Sequence, residues 1–458
     1  MLELTKAALS FSWAMSLFGT QQLTNLVGPN DPRKPARRAN AAFYSVTQAT
    51  QTQLNELLFG GFQIGDEVER RLVDLAYDTL TLQAFRPSYV RTVSADIVEQ
   101  SRDTLRVFTS AENARLAWQE LKNNYEVFNL VKNSSSRLNI PAGGKAFNLG
   151  EAIKAAYRLG EYPDLWAVEG LGHDYAMTFF ARWGKKQPVR GILTDGQASN
   201  LPDKSLTMMH AGLGLAFAEQ LMIRITPYSD ADDVRGVLSE FVMLVKNNSR
   251  GGYEGAAYES LGLVTRFWHS QIVNIVGQHI SEVEPQAADY FWHGTGRAYY
   301  FLPIYFVPGL LSPWSAIERE APHEGALLNM IAGLAWATAI VNVRQPQIME
   351  NFLKYHGEDV ARTPAFSNGV MSALIMGTDI TPCDVYITRF LEYMPDALDQ
   401  RTAELWNNLV NRPGTLAVRH YHPVLKKHGR LGEVFRYQDL SALIARLKGS
   451  LHTAFAAA

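Results

Sequence analysis

A glycine-bearing helical segment that returns along the chain constrains the fold more than any other feature. A first segment type reads Glu169-Gly-Leu-Gly172, then Glu259-Ser-Leu-Gly262, then Ile331-Ala-Gly-Leu-Ala335. A second type follows each of these: His210-Ala-Gly-Leu-Gly-Leu-Ala216, Trp292-His-Gly-Thr-Gly-Arg-Ala298 and Ser367-Asn-Gly-Val-Met-Ser-Ala373. Superposing Gly212, Gly294 and Gly369 also superposes Ala216, Ala298 and Ala373. The unit thus recurs at about 75 to 90 residues, a period of the kind that marks helical arrays. Glycine inside a helix costs about 1 kcal/mol relative to alanine. It is kept where two backbones, or a backbone and a ligand, come close.

The rest of the chain agrees with a mostly α fold. Apolar residues recur with helical spacing over residues 51–76, 205–221, 230–246, 257–276, 326–355 and 440–455. Asp203 reads as an N-cap behind Leu201-Pro202, and Asp230 to Asp233 as the acidic first turn of a helix. The strongest strand candidate, residues 187–193, is weak. Hydrophobic residues make up 47% of the 458, enough for a large core and too many for a disordered chain. These readings give an internally repeated helical-pair array of about three copies forming one large domain. Residues 41–378 form the array. Residues 1–40 are an amphipathic docking helix with a Pro-rich basic connector, and 379–458 a helical tail packed on the array.

Several function classes fall away. A formal net charge of -2 gives no bulk attraction to nucleic acid. The single cysteine, Cys383, excludes a disulfide framework and fits a reducing, cytoplasmic setting. Gly294 to Ala298 and Gly212 to Ala216 hold glycines, but the full G-x-G-x-x-G pattern after a strand is absent. Neither a phosphate-binding P-loop nor a G-x-S-x-G elbow occurs, so no cofactor is expected. His420, His422 and His428 form the only tight histidine group. They read as an extended surface loop beside Lys426, Lys427 and Arg430, which repel a cation, so no metal site is expected. The apolar run 325–343 is nearly long enough to span a bilayer, but Asn329, Asn342 and many small residues favour a buried central helix. The N-terminal helix leaves peripheral membrane contact as a minor reading.

The candidate chemistry sits on the repeated helices. Glu169, His210, Glu259 and His293 are candidate catalytic acid/base groups, because a carboxyl beside an imidazole in a dry setting has its pKa tuned by burial. Arg297 is the candidate anchor for an anionic substrate group. Trp268, His269, Trp292 and Trp336 are candidate lining residues for an extended apolar ligand. In the glycine alignment His210 and His293 are offset by one position. A polar network that only fixes helix register stands beside the catalytic reading.

These motifs resemble the domain-of-unknown-function family found in enediyne and other polyketide-type biosynthetic gene clusters. The likeness rests on the His210-to-Ala216 and Gly294-to-Ala298 helices, on Glu169-Gly-Leu-Gly172, and on Leu54-Asn-Glu-Leu-Leu-Phe-Gly-Gly-Phe62. It spans roughly residues 43–376 and departs over 91–163 and after 379. The resemblance implies a biosynthetic setting among enzymes that act on long polyene or polyketide chains, and it supplies no mechanism. The expected function is an enzyme that cyclises or rearranges a hydrophobic polyene, polyketide or isoprenoid chain. The alternative is a non-catalytic binding or scaffold partner. Expected partners are a hydrophobic small molecule and a second copy or pathway protein.

Overall fold

The computed structural model describes residues 111–141, 145–182, 189–302 and 313–456, which lie in one compact unit. The N-terminal docking helix, the connector, the 51–76 helix and the Leu54-to-Phe62 motif fall outside the described residues. Within them the chain is helical and holds no strand. Residues 189–193, from the strand candidate, form a loop and a turn, with Gly191 at φ 76°, and 187–188 are outside the described set.

The longer helices are α1 Ala111–Lys132, α2 Leu149–Tyr157, α3 Glu161–Arg182, α4 Asp203–Met222, α5 Ala231–Asn248, α6 Glu254–Trp268 and α7 Val273–Val283. They continue with α8 Pro285–Phe301, α9 Pro313–Glu320, α10 Glu324–Val341, α11 Pro346–Val360, α12 Ala365–Ile380, α13 Val385–Glu392, α14 Gln400–Trp406 and, last, α15 Leu440–Ala456. Local chemistry sets their starts. The Asp230 side chain accepts the Asp233 N–H at 2.8 Å and caps α5. Pro285 and Pro346 open α8 and α11, where a missing N–H does no harm. Asp203 is the first helical residue of α4 rather than its cap, which is Pro202.

Two predicted helices are split. Residues 257–276 break into α6 and α7 at His269, and 326–355 break into α10 and α11 after Asn342. Conversely, the segment with His420 and His422 is helical and not an extended loop. It runs from α14 to Lys427 without interruption, with wider π turns over Asn407–Asn411 and Ala417–Tyr421. Pro413 and Pro423 follow those turns, and a proline has no N–H to give the carbonyl four residues back.

Six helices, α3, α4, α6, α8, α10 and α12, each pack on the next, and α12 also packs against α4. Burial separates them from their neighbours. Helix α4 is buried nearly all round, from Ser205 to Ala218, as is α10 from Asn329 to Val341. Helix α5 buries one stripe only, through Val234, Val237, Leu238, Phe241 and Val245. Helix α10 is long and apolar enough to cross a membrane by length and composition, and 78% of it is buried inside the protein.

The glycines mark where neighbouring backbones cross. A Cβ added to Gly212 of α4 would meet the Glu169 carbonyl oxygen of α3 at 1.9 Å, and one on Gly172 would meet the Met209 carbonyl at 2.5 Å. Between α6 and α8 the relation repeats: Gly294 meets the Glu259 carbonyl at 1.9 Å and Gly262 the Phe291 carbonyl at 1.8 Å. Gly369 meets the Ala332 carbonyl at 2.1 Å between α12 and α10. Close approach also occurs between these pairs, at Gly214 against Ala257 and at Gly333 against His293. Every neighbouring pair in the row is therefore locked backbone to backbone, and the aligned glycines occupy matching places in three of the pairs.

The tail is joined to this row. The Gly432 N–H donates to the Gly252 carbonyl at 2.7 Å, and Trp406, Leu425, Leu431 and Phe435 are buried in the same hydrophobic cluster as the central helices.

Candidate functional site

The α3 and α6 crossings carry glutamates at the residue whose carbonyl abuts the glycine. Their side chains meet on α8. Arg297 Nη2 donates to Glu169 Oε1 at 3.0 Å and Oε2 at 3.2 Å, and Arg297 Nη1 donates to Glu259 Oε2 at 3.0 Å. The other oxygen of Glu259 lies 3.3 Å from His293 Nδ1. His293 and Arg297 are four residues apart on α8 and so share a face. All four side chains are buried, none more than 2% exposed as whole residues. Helix α10 closes this face with Trp336, whose ring lies 4.7 Å from the Arg297 guanidinium carbon and 6.4 Å from the His293 ring. Phe301 and Phe435 complete the aromatic surround.

The two carboxyls are not equivalent. Burial pushes Glu169 above the ordinary carboxyl range, and although Arg297 opposes that, the nearby Glu259 charge adds to it. Burial acts on Glu259 too, but Arg297 and His293 together outweigh it and hold Glu259 below the ordinary range. Arg297 is held protonated, because the two glutamates overcome its own desolvation.

His210 is placed elsewhere. Its Nε2 accepts the Arg250 backbone N–H at 2.9 Å, so its proton is on Nδ1, which donates to the Leu206 carbonyl at 2.6 Å. It stacks on Tyr253, and burial lowers it to about 4, so it is neutral. Both ring nitrogens are in use within α4 and the turn before α6, and no bond joins it to the glutamates. Trp268 is 41% exposed, packs on Phe267 and lies under Lys132, and His269 ends α6 beside it. Trp292 is buried against Gly277 of α7, Phe291 and His323. Of the sequence-derived residues, the structure thus brings together Glu169, Glu259, His293, Arg297 and Trp336, and sets His210, Trp268, His269 and Trp292 apart.

Other polar groups escaped the sequence reading. Asn342 donates to Tyr300 Oη at 2.5 Å and accepts from Asn123 at 2.9 Å, while Tyr300 donates to Glu120 at 2.7 Å, a network tying α1 to α8 and the end of α10. Its only sequence signal was an asparagine in an apolar run. His173 sits between Glu219 at 3.1 Å and Asp174 at 3.4 Å, and these partners, against the cost of burial, raise it to about 9. Asp164 is raised to about 7, chiefly by burial, with Lys204 opposing. His422 and Lys426 both engage Asp379, at 3.2 and 2.7 Å, which gives the tail histidine a carboxylate partner. Among the described residues no group of three or more His, Cys, Asp or Glu is placed to hold a metal.

No protein-family model, curated protein or solved structure matches this chain.

Proposed function

We propose that the chain is an acid/base enzyme whose reacting groups are Glu169, Glu259 and His293, with Arg297 and Trp336 shaping the site. The observation that carries this reading is the opposed tuning of two buried carboxyls on one arginine. Glu169 is pushed up and suited to hold and release a proton, and Glu259 is held ionised against an imidazole. Titratable neighbours whose environments drive their pKa values apart are the usual arrangement of an acid and a base. The aromatic faces of Trp336, Phe301 and Phe435 suit a substrate that is apolar or develops positive charge. That the substrate is a polyene, polyketide or isoprenoid chain, cyclised or rearranged, rests on the motif resemblance alone. The test is to incubate an extract of such compounds with wild-type protein and with E169Q and compare products by mass. Loss of a product in E169Q is expected; identical product profiles remove Glu169 from the reaction.

A second reading, a non-catalytic binding or scaffold partner, is favoured by one observation: Arg297 already holds both carboxyls. In that case E169Q leaves every product unchanged and lowers only the melting temperature.

A further inference from the structure

Asp164, in the first turn of α3, is a carboxyl removed from water without close compensation. Its side chain is 3% exposed, and its Oδ1 has no hydrogen-bond partner among the described residues. A buried ionised carboxyl needs a close cation or several N–H donors to offset its lost hydration. The cation facing it is Lys204 of α4, whose Nζ lies 4.0 Å from Asp164 Oδ2, beyond hydrogen-bond reach. Lys204 rests elsewhere. Its Nζ is 3.7 Å from the centre of the Tyr157 ring at the end of α2, and its side chain is 35% exposed. The other charged groups facing Asp164 oppose its ionisation. They are Glu161 on the same helix and the buried Asp384, which caps α13 by accepting the Tyr386 N–H at 2.6 Å.

We infer that Asp164 and Lys204 form a proton-operated joint between α3 and α4: with Asp164 protonated, Lys204 stays on the Tyr157 ring, and with Asp164 ionised, its ammonium leaves the ring for a direct ion pair. The observed geometry is that of the first state. A neutral carboxyl tolerates a dry setting and leaves the lysine free to lie on an aromatic face. Ionisation reverses the balance, because a charge-assisted hydrogen bond of about 2.8 Å to a buried carboxylate is stronger than a half-exposed cation–π contact. The carboxyl is fixed in the core, while the lysine has a flexible four-carbon stem, so the lysine is the part that moves. The tuning agrees in direction. Burial raises Asp164 to about 7, Lys204 opposes this, and Glu161 and Asp384 add to it. The joint stands apart from the acid/base reading of Glu169.

The test compares folding equilibrium constants of the full chain as wild type and as D164N, from about pH 4 to about pH 9. The carboxyl titrates near 3.8 when unfolded and about 7 when folded, so the folded chain holds the proton longer. The stability that the protonated carboxyl confers is complete below about 4 and is lost as pH rises through about 7. The ratio of D164N to wild type is therefore expected to rise about tenfold per pH unit between those values and to level off above. A ratio constant with pH overturns the joint. Should D164N not fold, K204M takes its place. Without the cation the carboxyl is harder to ionise, so wild type is expected to gain on K204M as pH rises through about 7, and a constant ratio again overturns the joint. Movement is read at the isotope-labelled ring of Tyr157, assigned among the 19 tyrosines by its loss in Y157F. Its signal is expected to shift through about pH 7 in wild type and to stay still in K204M. If it stays still in wild type while the stability ratio rises, the carboxyl titrates without moving Lys204, and the joint is overturned. The product comparison with E169Q bears on Glu169 alone, so each proposal can fail without the other.

Discussion

The α3–α4, α6–α8 and α10–α12 crossings share one backbone arrangement and differ in one side chain. In each, a glycine fits against the carbonyl of a facing residue, and that residue is Glu169, Glu259 and Ala332 in turn. The glycines are dictated by the approach of the backbones, while the side chain beside each carbonyl is free to vary. Two crossings use that freedom to deliver carboxyls to Arg297; the third delivers a methyl group. Architecture and chemistry are thus written in different residues at the same place, and they are separable by mutation.

The largest effect is expected at the glycines. G212A and G294A each place a methyl group 1.9 Å from a backbone oxygen, which no rotamer change relieves. Each is expected to destabilise by about 3 kcal/mol or more, as overpacking does when neither side can give. Gly236, on the exposed face of α5, has nothing within 4 Å of an added Cβ. There G236A is expected to stabilise by up to about 1 kcal/mol from helix propensity. Denaturant midpoints check both. If G294A melts with wild type, the close crossing is not what the glycine serves.

The chemistry is tested next. R297M keeps much of the volume and removes the shared cation, leaving the two buried carboxyls without their countercharge. The expected loss is about 3 to 5 kcal/mol, the cost of stranding a buried charge. Adding E169L and E259L to R297M is expected to recover much of that stability, since the crossings themselves are untouched. A triple variant no more stable than R297M shows that the charges and the crossings are not independent, and the comparison fails.

The same separation explains what the sequence made legible. Gly212, Gly294 and Gly369 stood out because close backbone approach tolerates one residue type only. Glu169, Glu259, His293 and Arg297 stood out as charges on those helices. His210 did not belong with them. With the glycines in register it aligns with Trp292, one position before His293, and one residue turns a side chain about 100° around a helix. The breaks after Trp268 and Asn342 were hidden because apolar spacing continues through them, although Pro346 was a signal for the second. The stretch with His420 and His422, read as an extended loop inside a helical tail, is helical because π turns before Pro413 and Pro423 carry the helix past prolines that usually end one. Tyr300, Asn123 and Glu120 had no local signal: their partners are up to 222 residues away in sequence.

The smallest expected effects come from two histidines that the fold treats oppositely. His210 is buried with its Nε2 accepting, and is depressed to about 4 from the ordinary value near 6.5. The unfolded chain binds that proton first, so the stability His210 confers is full above about 6.5 and is lost as pH falls toward about 4. His173 is raised to about 9 by Asp174 and Glu219. The folded chain holds that proton longer, so its contribution is full below about 6.5 and is lost as pH rises through about 9. H210Q is expected to flatten the acid side of the stability profile and leave the alkaline side, and H173Q the reverse. The His173 effect is the smaller, because its side chain is 26% exposed and water screens the pair. Denaturant midpoints measured across that range decide it: if H173Q alters the acid side instead, His173 is not held charged by its two carboxylates.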